Sequence, residues 1–221
     1  MRKKHEQSVI DAFSNYFLKK GLSSGKITNR LSLDGQDSIL GADYIFTENS
    51  NFALVEFKYE DRDLKAEGDK ALRNTLCTLL DSETIRRNQS LQCHYIAWSQ
   101  KHQERRGILF NKYYPEICNN AIFPLSTLRS SNPDVTSRLS ADNLINQFFD
   151  GSVGSTFEVF NQYVNWLLSI GGKEGTGVEV MLDNPDSNEF DILEFSSLNL
   201  LNDWLIQNRP TPAPSPSPSP W

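Results

Sequence analysis

Cysteine and histidine are scarce in this chain of 221 residues, and neither is arranged for metal chemistry. The three cysteines, Cys77, Cys93 and Cys118, are an odd number with no C-x-x-C spacing, so neither a disulfide framework nor a structural zinc site is expected. The histidines, His5, His94 and His102, form no H-x3-H pair. Chemistry therefore falls to carboxylates, lysines and hydroxyls. No stretch approaches the roughly 18 consecutive apolar residues of a membrane-crossing helix. The basic start Met1-Arg2-Lys3-Lys4 runs into the polar His5-Glu6-Gln7-Ser8, and the apolar residues beyond come at helical spacing rather than as a signal-peptide run. A cytoplasmic protein without membrane contact is expected.

Positive charge is also short: the formal net charge is −6, which argues against a protein that simply coats nucleic acid. The average conceals a split. Residues 1–110 carry 17 Lys+Arg against 15 Asp+Glu, and residues 111–221 carry 5 against 13. Affinity for a polyanion comes from phosphate neutralisation, so the first half is the place for it. Candidate clusters are Lys3-Lys4, Lys19-Lys20, Arg86-Arg87 and Lys101 with Arg105-Arg106.

Hydrophobic periodicity gives the organisation. Residues 5–20 predict an amphipathic helix through Val9, Ile10, Phe13 and Phe17, stopped by Gly21. Short extended segments follow at 26–33, 41–46 and 52–59, the last two as a hairpin. Residues 63–80 return to helical spacing, and 92–98 read as a buried strand. The order helix, three strands, helix, strand predicts an α/β class with a partly parallel sheet. Beyond residue 100 the pattern loosens: an edge strand at 121–128 interrupted by Pro124, helices at 140–149 and 156–170, a strand pair at 177–183 and 190–195, and a helix at 197–207. The expected division is a core over 1–110, an α+β extension over 111–209 and a Pro/Ser-rich tail over 210–221. The extension, with apolar residues in the Trp204 helix and at Trp221, is the expected surface for a protein partner or a second copy.

The informative stretch is Gly41-Ala42-Asp43, followed by Glu56-Phe57-Lys58. Side chains alternate on a strand, so Glu56 and Lys58 share the face of Phe52 and Leu54, while Ala53, Val55, Phe57 and Tyr59 line the other. If the hairpin sets Asp43 near Glu56, two carboxylates and an ammonium converge. Two such carboxylates suit Mg²⁺ or Mn²⁺, hard cations that take few protein ligands and keep several waters. The plain alternative is a buried Glu56–Lys58 ion pair with Asp43 in a turn. Glu6 precedes Val9, Ile10 and Phe13 by three, four and seven positions, which sets a carboxylate on the apolar face of the first helix.

At these residues the chain resembles the PD-(D/E)XK, or restriction-endonuclease-like, nuclease superfamily. The resemblance covers about residues 5–100, as an αβββαβ core with a mixed sheet. Asp43 matches the first acidic position, with Ala42 in place of the usual proline, and Glu56-Phe57-Lys58 matches the (D/E)-x-K triplet. Glu6 matches an additional carboxylate on the first helix, and Lys70 or Arg73 a basic residue on the helix after the triplet. The resemblance implies a metal-dependent endonuclease that hydrolyses phosphodiester bonds, in DNA rather than RNA, in restriction, antiviral defence or DNA processing. Asp43, Glu56 and Lys58 would be catalytic, with Asp43, Glu56 and Glu6 on the metal. The other reading is a catalytically silent nuclease-like subunit serving in binding or assembly.

Overall fold

The structure, a computed structural model, describes residues 5–208 except 34, 49, 174, 176 and 184–190. The 210–221 tail with Trp221, the Lys3-Lys4 pair and the expected turn over 184–188 lie outside the described residues. In chain order the elements are α1 (Glu6–Ser23), β1 (Thr28–Ser32), α2 (Asp37–Leu40), β2 (Tyr44–Glu48) and β3 (Asn51–Glu60). A 3-10 segment (Asp61–Asp69) leads to α3 (Ala71–Ser82), α4 (Thr84–Cys93), β4 (His94–His102), β5 (Arg105–Lys112) and α5 (Tyr113–Ile117). Then come β6 (Leu139–Ser140), α6 (Ala141–Phe149), α7 (Phe157–Ile170), β7 (Val180–Asp183), β8 (Ile192–Phe195) and α8 (Leu198–Gln207).

These strands make one eight-stranded mixed sheet in the order β6-β5-β4-β3-β2-β1-β7-β8. Only β3 and β4 run parallel, and the helical crossover between them is what a parallel pair requires. Strands from beyond residue 110 extend both edges of this sheet, and the boundary expected at 110 falls inside β5.

Alternation on β3 explains the two layers. Ala53, Val55 and Phe57 face α1 and α6, packing with Phe13, Phe17, Phe46 and Phe110. Leu54 and Phe52 face the other way, onto Leu76, Phe160 and Leu167. With both faces covered the strand is apolar on both sides. The four periodic residues of α1 are all buried, so its spacing describes its packing. On α7, Phe160 and Tyr163 are buried, while Phe157 and Trp166 pack partly buried on the same core.

Several expectations need correction. The helix foreseen over 63–80 is two elements, because Lys70 is extended (φ −89°, ψ 113°) and Gly68 passes so close to the Ile122 carbonyl that a Cβ would stand 2.5 Å from it. Residues 121–128 form turns and no strand; there Asn119 Oδ1 accepts the N–H groups of Ala121 and Ile122, tying the backbone locally instead of to a sheet. The odd cysteine count predicts no disulfide framework, yet two of the three cysteines are bonded. Cys77 on α3 and Cys118 after α5 form a disulfide across a sequence separation of 41, and the folded chain alone decides that proximity. Cys93 remains a buried thiol. No helix among the described residues is long and apolar enough to cross a membrane.

Candidate active site

The last inward-facing positions of β3 are not apolar. Glu56 and Lys58 are 2% and 7% exposed, and Lys58 Nζ donates to Glu56 Oε1. Their register partners on β4 are Ile96 and Trp98, so the pair runs from the middle of the parallel pairing towards its carboxyl end, the side on which ligands bind in open α/β sheets.

Asp43 comes one residue before β2. Its N–H donates to the Val55 carbonyl (3.0 Å) and its own carbonyl accepts from Leu33 N–H (3.0 Å), holding it in the ladder on both sides. Its carboxylate accepts the N–H of Phe57, the residue between Glu56 and Lys58, at 2.6 Å. The preceding turn depends on Gly41, which caps α2 in the left-handed region (φ 75°). A side chain there would be strained, and its Cβ would lie 3.0 Å from the Arg73 guanidinium. The Gly41 carbonyl accepts from His94 Nε2 (3.0 Å). That assigns the proton to Nε2, so Nδ1 accepts from the Tyr163 hydroxyl (2.9 Å). Burial holds His94 neutral, its pKa pushed down to about 3. A neutral imidazole therefore anchors the turn that presents Asp43.

Glu67, fully buried on the 3-10 segment, organises the cations. It pairs with Lys58 at 3.1 Å, Lys70 at 2.7 Å and Arg73 at 3.4 Å, and accepts from the Tyr113 hydroxyl at 2.7 Å. Lys70 also reaches Glu56 at 2.7 Å. Burial pushes the Glu67 carboxyl up, but the Lys58 and Lys70 ammoniums and the Lys70 and Tyr113 hydrogen bonds outweigh it and hold it at about 2. Burial also works against the Lys58 charge; Glu56 and Glu67 outweigh it and hold the ammonium well above its ordinary value. Asp43 goes the other way: burial first and the Glu56 carboxylate second push it up to about 7, against the Phe57 N–H and Lys58.

Asp43, Glu56 and Lys58 line a pocket of about 420 Å³ together with Glu6, Asp37, Tyr59, Arg62, Asp63 and Lys70. The four acidic and basic positions singled out in the sequence thus share one concavity, and Lys70 joins them. Arg73 does not line the pocket; it holds Glu67 and the Asp37 carbonyl (3.2 Å). Glu67 and Asp37 were missed. Glu67 stands three residues after Leu64 and four before Ala71, on the apolar face of the predicted helix, the signal that had marked Glu6.

Among the described residues no group of three or more His, Cys, Asp or Glu side chains stands ready to hold a metal ion. The pair Asp43 and Glu56 nonetheless suits a hard cation: both are oxygen donors, and the Glu56 charge, which adds to burial in raising the Asp43 carboxyl, is a repulsion that a cation would relieve. Comparison with family models, curated proteins and solved structures gives no match for this chain.

Proposed function

We propose that this chain is a divalent-metal-dependent endonuclease acting on DNA, built on a restriction-endonuclease-like αβββαβ core. Supporting that core, α1, β1, β2, β3, α3 and β4 follow in this order, with the short α2 and the added α4 between them. One observation carries the function: the buried Glu56 carboxylate and the partly buried Asp43 carboxylate converge with the buried Lys58 ammonium in one pocket. Buried charge is costly and a poor source of stability, and such clusters concentrate where chemistry is done.

Asp43 and Glu56 would hold Mg²⁺ or Mn²⁺, with Glu6 from α1 lining the same pocket. When bound, such an ion acidifies a water and offsets the charge that builds on a phosphodiester. The chain's own groups do the rest. Lys58, fixed by Glu56 and Glu67, neutralises the scissile phosphate and orients the attacking water. Lys70 and Arg62 supply further positive charge at the rim. The test is incubation of the pure protein with plasmid DNA and with RNA, in Mg²⁺ or in chelator. DNA should be cut in Mg²⁺ alone, and Asp43→Ala, Glu56→Ala and Lys58→Ala should each abolish cutting. Intact substrates under every divalent ion would overturn the reading.

A second reading, a silent nuclease-like subunit for binding or assembly, draws on the fact that two lysines already occupy Glu56. It leaves DNA intact in the same assay, with no Mg²⁺ affinity. In either case a partner or second copy has apolar surface to meet in the C-terminal part, where Met181, Ile192, Leu200 and Ile206 are exposed.

A further inference from the structure

Beyond the pocket, β4 and β5 leave the sheet as a free two-stranded ribbon. On one side β3 stops pairing at Glu60↔Ser99; on the other β6 covers only Leu109 and Phe110. The outer pairs Gln100↔Gly107, Lys101↔Arg106 and His102↔Arg105 stand alone, and residues 100–107 are all exposed. At about 3.3 Å per residue the ribbon reaches about 13 Å past the sheet.

Its outer end carries Lys101, Arg105 and Arg106 against the single carboxylate of Glu104. Lys101 lies directly opposite Arg106, where like charges across a ladder destabilise it; His102 lies opposite Arg105. Arg106 is tied back to Glu60 (2.6 Å) and Ser99 (2.8 Å) and stacks over the Tyr59 ring at 4.4 Å. Tyr59 itself lines the pocket, so the ribbon is rooted at the pocket rim. Lys101 and Arg105 make no ion pair among the described residues. At the tip Gln103 takes φ 53°, the one non-glycine residue at positive φ among the described residues, a conformation kept against steric cost.

We propose that this ribbon is a DNA-binding arm that enters the major groove of a duplex, with Lys101 and Arg105 on the phosphates, and guides the strand to the pocket. The B-form major groove admits a two-stranded ribbon; the narrow, deep major groove of A-form RNA does not. The partner is thus duplex DNA. A chain of net charge −6 would meet it through this local excess of cations, which the phosphates would in turn relieve. The proposal rests on the nuclease reading only for the end the arm serves.

The experiment is binding of a labelled 20-base-pair duplex without divalent ions, over a range of salt, by the full chain and by the Lys101→Gln/Arg105→Gln variant. Loss of two phosphate contacts should lower the slope of log K against log salt by about 2 and weaken binding about 10- to 100-fold at 0.1 M salt. Arg105→Lys should keep the slope, and the melting temperature should not fall, because the substituted side chains are exposed. On duplex RNA of equal length the double substitution should change the slope by less than half as much. An unchanged slope on DNA, an equal loss on RNA, or no binding of DNA by the parent chain overturns the arm. Mg²⁺-dependent cutting is measured separately: cutting by the parent with an unaltered variant slope sinks the arm alone, whereas binding through the arm without cutting sinks the nuclease reading alone.

Discussion

Lys58 and Glu67 are held 3.1 Å apart, both buried, with the 3-10 segment delivering Glu67 beneath the ammonium. Glu67 touches Lys58, Lys70, Arg73 and Tyr113 and does not line the pocket. On the proposed function it would position Lys58 and Lys70. Glu67→Gln keeps the shape and the Tyr113 contact but removes the charge that three cations share. Breaking a buried ion pair from one side costs about 3–5 kcal/mol, so urea unfolding should show a loss of that order. On the proposed nuclease function, kcat should drop sharply, because Lys58 and Lys70, the cations offered to the phosphate, both lose the partner that orients them. Unaltered stability would mean that the Lys58 and Lys70 pairs with Glu56 hold the cluster without Glu67.

Asp43 presents the opposite case. Its carboxyl is raised to about 7 by burial and by Glu56, so ionising it opposes folding. For a group raised above its unfolded value the native state holds the extra proton, and stability falls as pH rises from about 4 to about 7. Asp43→Asn retains an acceptor for the Phe57 N–H and removes that slope. The metal-free variant should be more stable than the parent by roughly 1–3 kcal/mol at pH 8, while cutting no DNA. A difference curve of the two unfolding free energies against pH checks both the sign and the window.

How much of this was legible follows from what each residue depends on. Glu56 and Lys58 announce themselves because a strand has a period of two and their neighbours Phe52 and Leu54 are apolar. Asp43 follows from the hairpin, whose register is set by its turn. Glu67 is obscured because the segment carrying it is a 3-10 stretch, and its partner Tyr113 comes from a distant helix. Strand β5 escaped notice because its first half, Arg105-Arg106-Gly107, is exposed and so lacks the apolar alternation that marks a strand. In α4 only Gln89, Ser90 and Cys93 are buried, so no apolar stripe reveals it. The disulfide needs the tertiary fold before it can be seen.

That disulfide carries its own prediction. Cys77 is on α3, whose first turn brings Arg73 to Glu67, and Cys118 follows α5, which contributes Tyr113. The bond closes a loop spanning 41 positions. Constraining an unfolded loop of that size is worth about 4 kcal/mol in the chain-entropy account. Unfolding of the protein with and without a reductant should differ by about 2–4 kcal/mol, and Cys77→Ala/Cys118→Ala should match the reduced protein. Equal stability of oxidised and reduced protein would refute a stabilising bond.

His94 links stability to the geometry of Asp43. Its Nε2–H holds the Gly41 carbonyl, its Nδ1 accepts from Tyr163, and its ring stacks on Tyr113 at 4.3 Å. His94→Phe keeps the stack and leaves the carbonyl and the hydroxyl buried without a partner, at about 2–4 kcal/mol. The Gly41 turn then loses its anchor, so cleavage should fall with Asp43 still present. Burial lowers the imidazole to about 3; the nearby Arg73 charge adds to this, and the Gly41 hydrogen bond and Glu67 oppose it. The unfolded chain therefore binds a proton that the folded chain refuses. This part of the stability is complete above about pH 6.5 and is lost as pH falls towards 3, at up to about 1.4 kcal/mol per pH unit. The phenylalanine variant has no such proton to refuse. Its deficit relative to the parent should be largest at pH 7 and should shrink steadily between pH 6 and pH 4, as denaturant titrations at each pH would measure. A deficit that stays constant across that range would show that His94 is protonated, or free to be, inside the fold, and would remove it as the neutral anchor of the Asp43 turn.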